Sequence, residues 1–246
     1  MSIRRANGLF FLIAVVSFGV ASSILSATFD WPDILRAPAP TVLAAFEGGG
    51  DSLVWTWFAT AWTYGLLAIP ILLLPRALRL LAPRLPALRM ATLIGAASVL
   101  LSVIGFLRWV FVVPPLAHSW TSGSPVTRAA VEAAWTAQHQ FGGALLGEHL
   151  GQLLAIVWSV SVSVLALRGG VLPRWIGWAG LVASALYLLN QGDVMATALP
   201  GFPVWDAAGF LGSTAWGLWI LALGVTLLLP ARSPHDVPAE RAPAAA

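Results

Sequence analysis

The chain has 246 residues, 59% of them hydrophobic and 9% charged, and 13 basic against 10 acidic side chains leave a net charge of +3. Soluble domains carry about 25% charged residues, so a water-covered globular fold is excluded. The absence of cysteine excludes disulfides, thiolate metal sites, iron–sulfur clusters and cysteine nucleophiles.

A hydrocarbon core about 30 Å thick is crossed by a helix of about 20 apolar residues. Six stretches meet this: Gly8–Thr28, Leu53–Leu74, Met90–Val113, Gly143–Leu167, Trp175–Asp193 and Ala207–Leu229. A helix is the only open structure that satisfies backbone polar groups in lipid. The alternating short segments of a β-barrel are missing. The predicted fold class is therefore all-α: an integral membrane bundle of six transmembrane helices within residues 1–229. The tail 230–246, rich in Pro and Ala and without apolar periodicity, is expected to be disordered and cytoplasmic.

The first span follows Arg4 and Arg5. Its apolar stretch exceeds the roughly 7–15 residues of a signal peptide, and no clean cleavage site follows, so it reads as a retained anchor. The outer segment Asp30–Ser52 carries Pro32, Pro38, Pro40 and Gly48–Gly50, with a short interfacial helix expected over Thr41–Phe46. The second span ends in the basic loop Pro75–Arg89. The third carries Arg108 near its outer end. After it, Ser124 followed by Pro125 is a helix-start signal. An amphipathic helix over Pro125–Phe141 is expected to cap the bundle from outside, its apolar face formed by Val126, Ala130, Ala133, Ala137 and Phe141.

In the fourth span Gly143, Gly147 and Gly151 recur at four-residue spacing, which keeps them on one helical face. Such a face lets another backbone approach closely. Internal helix packing is the first expectation, and a homo-oligomer or larger membrane complex is the other partner the face would fit. The fifth span opens Leu172-Pro173-Arg174-Trp175-Ile176-Gly177-Trp178-Ala179-Gly180-Leu181, and the chain itself begins Arg5-Ala6-Asn7-Gly8-Leu9-Phe10-Phe11-Leu12-Ile13-Ala14. Both resemble a bacterial family of polytopic membrane proteins known as domain of unknown function 4386. The resemblance extends over most of residues 5–229. It implies a bacterial multi-pass membrane protein and carries no chemistry over to particular residues.

Arginine placement sets the orientation. With the N-terminus inside, Arg4, Arg5, Arg76, Arg79, Arg84, Arg89, Arg168, Arg174, Arg232 and Arg241 are cytoplasmic, and only Arg36, Arg108 and Arg128 lie outside or at the outer edge. Both termini are then cytoplasmic, in a bacterial inner membrane. The positive charge serves topology, so the lipid bilayer and not nucleic acid is the expected partner. Trp31, Trp55, Trp109, Trp120 and Trp175 read as an interfacial aromatic belt.

Ionisable groups inside a span are costly and normally face the protein interior or water. Arg108, Glu148, His149, Gln152, Asn190 and Asp193 fall at one outer depth, with His139 joining from the capping helix. Arg108 is expected to pair with Glu148 or Asp193. The leading functional reading is the binding or passage of a small molecule or lipid through an outward-facing polar cavity, or an accessory subunit role. The alternative is a membrane-embedded hydrolase or metal-dependent enzyme using His139, Glu148 and His149. Against it, neither His-Glu-x-x-His nor Gly-x-Ser-x-Gly occurs, and adjacent residues point about 100° apart on an α-helix. No cofactor and no metal are expected.

Overall fold

A computed structural model gives the fold and describes residues 1–78, 85–169 and 172–230. Arg79, Arg84, Arg232, Arg241 and nearly all of the expected disordered tail lie outside the described residues. Among those described, all regular structure is helical.

Helix α1 (Ile3–Phe29) starts at Ser2, whose hydroxyl accepts from the Arg5 N–H, and stops at Asp30 in the left-handed conformation. A single 3-10 turn over Asp33–Arg36 leads to α2 (Ala39–Gly65). The interfacial helix expected over Thr41–Phe46 is the outer half of α2, which kinks at Gly50, a residue at φ 55°. Leu66 and Leu67 separate α2 from α3 (Ala68–Ala77). The break follows from Pro70, which has no N–H to donate to the Leu66 carbonyl and whose ring crowds it.

Helix α4 (Leu85–Phe111) continues after Val112 into α5 (Val113–Ser122), with Pro114 in the first turn. The chain reverses at Gly123, and α6 (Pro125–Gln138) is capped by the Ser124 hydroxyl, which accepts from the Thr127 N–H. Next comes a π-helical run, His139–Leu150, leading without a break into α7 (Gly151–Gly169). Helix α8 (Arg174–Leu189) is followed across Asn190 by the short α9 (Gln191–Ala196), and α10 (Ala208–Leu228) closes the described bundle. Among the described residues five helical stretches are long and apolar enough to cross a membrane, namely Ile3–Phe29, Ala39–Ala77, Pro86–Ser122, Pro125–Gly169 and Ala208–Leu228. The remaining predicted span falls on α8, which has 16 residues and is prolonged by α9. The protein is a multi-pass membrane helix bundle.

Helix α6 is the expected amphipathic helix, at the end of the bundle away from Arg76 and Arg89, with two differences. It is one arm of a hairpin with α5, continuous with the fourth span. Its buried side chains are Val131 and Trp135, while Val126 is 81% exposed. The alanine row is too small to be worth burying, whereas Trp135 reaches the aromatic core.

Two cores result. The membrane core packs Phe11, Tyr64, Ile71, Trp158, Ile176, Trp219 and Leu223. The outer core packs Phe29, Phe46, Trp57, Trp109, Val113, Val131 and Trp135, joining α1, α2, α4, α5 and α6. Trp57 and Trp109 stack at 4.7 Å with planes 6° apart, and Phe29 meets both edge-on. Trp109 is thus a core residue and not a belt residue. Trp55 and Trp175 are more than half exposed, as a lipid-facing position requires.

Helices α1 and α10 cross closely, since a Cβ on Gly8 would lie 2.6 Å from the Gly224 carbonyl oxygen. Near this crossing Arg4 donates to the Thr226 carbonyl at 3.0 Å. The alternation of spans brings Arg76, Arg89, Arg168 and Arg174 to this same end of the bundle. The site lies at the other end.

Candidate functional site

The site is built where the π-helical run crosses α4. A Cβ on Gly105 would sit 2.8 Å from the Gly147 Cα, and one on Gly147 would sit 3.2 Å from the Gly105 Cα. A Cβ on Gly151 would meet the Ser102 hydroxyl at 2.5 Å. The glycine stripe is therefore occupied within the chain, by α4. A Cβ on Gly143 would lie 2.5 Å from Arg108 Nη2. Without it, the Arg108 guanidinium lies flat over a glycine surface. The run is 12 residues long, although π geometry is normally confined to single turns and is frequent at functional sites. Its i→i+5 bonding brings Glu148 about one turn below Gly143 and the Arg108 head.

Arg108 is buried, 8% exposed, with its Cζ 5.1 Å from the Trp109 ring centroid. Its Nη1 donates to the Gly105 carbonyl at 2.7 Å. Among the described residues it pairs with neither Glu148 nor Asp193, contrary to the expectation from depth. A residue read as a mere outer-edge charge makes those pairs. Arg36, on the turn between α1 and α2, contacts Glu148 Oε2 and Asp193 Oδ2 through Nη2 at 2.6 Å each. Its Nε donates to Asp193 Oδ2 at 3.0 Å. Burial alone would lower the Arg36 pKa, but the two carboxylates outweigh it and raise the value above the ordinary one. Arg36 thus ties the π-helical run to α9 and covers the layer at this end of the bundle.

Beneath that clasp His149, Gln152 and Asn190 form a continuous network with Gln191, which Arg108 and His139 do not join. His149 Nδ1 lies 2.7 Å from Gln191 Oε1. Gln191 Nε2 donates to the Glu148 carbonyl at 3.3 Å and also to Gln152 Oε1. Gln152 donates to the Tyr187 carbonyl at 3.2 Å, and Asn190 donates to Gln152 at 3.4 Å. Gln191 is the hub that depth reasoning passed over, though it stands between Asn190 and Asp193. At the far end of the run, Gln140 exchanges hydrogen bonds with Thr197, fastening the π-helical run to the end of α9.

Some polar atoms in this region are buried and have no partner among the described residues: Arg108 Nε and Nη2, Glu148 Oε1 and His139 Nδ1. His139 stacks on Trp135 with centroids 5.2 Å apart. His139, Glu148 and His149 do not converge on a point. The first faces the aromatic core, the second meets Arg36 and the third meets Gln191. Among the described residues no group of three or more His, Asp or Glu could hold a metal. A surface recess of about 340 Å3 lies elsewhere, beside Ser26, Asp30, Ile34 and Ala45.

The profile of the family described as Domain of unknown function (DUF4386) matches residues 6–224. The chain belongs to this family. No curated protein and no solved structure matches it. In this DUF4386 protein, Gly177 and Gly180 of the Pro-Arg-Trp stretch seat α8 on its neighbours. A Cβ on Gly177 would lie 2.8 Å from the Ser163 carbonyl oxygen, and one on Gly180 would strike the Ser163 hydroxyl and come within 2.6 Å of Trp219 Nε1. That indole donates to the Ile176 carbonyl at 2.9 Å, so packing accounts for Ile176, Gly177 and Gly180 of the stretch, while Trp175 and Trp178 are exposed.

Proposed function

We propose that this DUF4386 protein binds a small polar molecule or a lipid headgroup in its outer polar layer, beneath the Arg36 clasp. In this reading the layer faces outward from a bacterial cytoplasmic membrane and both termini are cytoplasmic. The arginine distribution supports that orientation, because the positive-inside bias counts Arg and Lys near span ends.

The observation that carries the reading is the set of unpartnered atoms on Arg108, Glu148 and His139. A buried polar group without a hydrogen bond costs about 1–3 kcal/mol, and more when charged. A purely structural network would be expected to spend Arg108 on the nearest carboxylate. Here Glu148 turns one oxygen to Arg36 and leaves the other free. Such unmet valences suit a ligand that completes them.

Native mass spectrometry of the protein released from gentle detergent tests this. The wild type should carry a retained small molecule or lipid. Arg108→Gln, shown by size exclusion and circular dichroism to remain folded, should lose it. Identical spectra for the two proteins would contradict the proposal.

A further inference from the structure

Which chemical class the layer takes can be read from the shape and balance of what is left unpaired; the inference rests on the binding role proposed above. Arg108 uses Nη1 on the Gly105 carbonyl and leaves Nε and Nη2 free. Those two N–H groups form the side edge of the guanidinium, the planar fork that accepts a carboxylate or phosphate through two parallel bonds. A single water meets only part of that fork. The opposite requirement comes from Glu148. Its Oε1 is buried and unpartnered while Oε2 is held by Arg36. A carboxylate oxygen accepts only, so it calls for a donor, and a cationic donor such as an ammonium makes a stronger bond than a neutral one.

The fixed charges of the layer already cancel. Arg36 and Arg108 stand against Glu148 and Asp193. Burying an uncompensated charge is strongly unfavourable. A net anion on Arg108 would leave Glu148 Oε1 unmet and tip the layer negative. A net cation on Glu148 would leave the Arg108 fork unmet and tip it positive. A molecule bearing both groups answers both orphans and leaves the sum unchanged. Trp109 and the stacked pair Trp135 and His139 form an aromatic wall beside Arg108.

We infer that the ligand is a zwitterion, with a carboxylate or phosphodiester on the Arg108 fork and an ammonium on Glu148 Oε1. The same chemistry belongs to a free amino acid and to an ethanolamine phospholipid headgroup. Arg36 must release Glu148 or Asp193 to admit it, because the unpartnered atoms are sealed from solvent.

The test measures binding to the full chain by calorimetry or thermal shift. The free zwitterions are glycine, 4-aminobutyrate and glycerophosphoethanolamine. Acetate, dimethyl phosphate and ethylammonium carry one charge each. Nanodiscs made with phosphatidylethanolamine or with phosphatidylglycerol alone supply the lipid arm. At least one zwitterion should bind about tenfold or more tighter than every singly charged probe, which is about 1.4 kcal/mol. Selective stabilisation by phosphatidylethanolamine alone assigns the headgroup, and selective binding of a free compound assigns a soluble ligand. Glu148→Gln removes one negative charge and should shift preference toward acetate or dimethyl phosphate. If singly charged anions bind the wild type as tightly as the zwitterions, the inference is overturned while the binding role stands. If no probe and no lipid binds, it is overturned as well. The mass-spectrometric adduct then decides separately whether the binding role survives, and its absence leaves ordered water as the occupant.

Discussion

Arg36 has the largest consequence of any single side chain. It lies 112 residues from Glu148 and 157 from Asp193, and no spacing rule connects residues so far apart. Depth along separate helices groups Glu148, His149, Gln152, Asn190 and Asp193, because rise per residue is fixed. Depth cannot say which arginine reaches them, since a loop residue has no fixed depth. That is why Arg108 stood in for Arg36. Replacing Arg36 with Ala leaves two carboxylates facing each other without a cation. Thermal stability in detergent should fall by about 1.5–3 kcal/mol, the range for losing a hydrogen bond to a charged group. In a double-mutant cycle, Arg36→Ala with Glu148→Gln should lose less than the two single losses added together, because the residues touch. Strict additivity, measured by denaturant or thermal titration, would show that the contact contributes nothing.

Among the elements, the glycine stripe and the π-helical run tell different stories. Four-residue spacing marks Gly143, Gly147 and Gly151 as a face for close approach, and the residues that fill it belong to α4. The π geometry leaves no trace in the sequence, because the polar residues of the run, His139, Gln140, Glu148 and His149, sit at its two ends with an apolar stretch between and define no period. The buried face of α6 was also hidden. A row of alanines looks apolar, yet Val131 and Trp135 remove more area from water and decide the docking. Gly147→Leu places a side chain where Gly105 already lies. Overpacking should cost about 1–3 kcal/mol, seen as a lower melting temperature in detergent. Gly19 provides the control, because a Cβ there meets nothing within 4 Å. Gly19→Leu should leave the melting temperature unchanged. Equal behaviour of the two variants would mean the α4 crossing is looser than its geometry.

At the scale of the whole molecule, six spans are legible from apolar length alone. The outer core is less so. The aromatic cluster around Trp57 and Trp109 comes from α1, α2 and α4 together, joined by Trp135 of α6, and pairwise stacking has no signature in linear order. The chain lacks cysteine, so single-cysteine labelling gives a clean test of orientation. Ala87→Cys, at the end shared with Arg76 and Arg89, should resist an impermeant maleimide in intact cells. Ser124→Cys, at the tip of the α5–α6 hairpin, should react. The reverse pattern would invert the bundle and turn the polar layer toward the cytoplasm. The central claim is that the outer layer holds a molecule between Arg108 and Glu148. It is tested most directly by an experimental structure of the wild-type chain in phosphatidylethanolamine-containing nanodiscs, at a resolution that reveals ordered small molecules. The account predicts non-protein density bridging the Arg108 Nε–Nη2 edge and Glu148 Oε1, larger than a water, beneath the Arg36 clasp. A direct Arg108–Glu148 ion pair with nothing between them would contradict it.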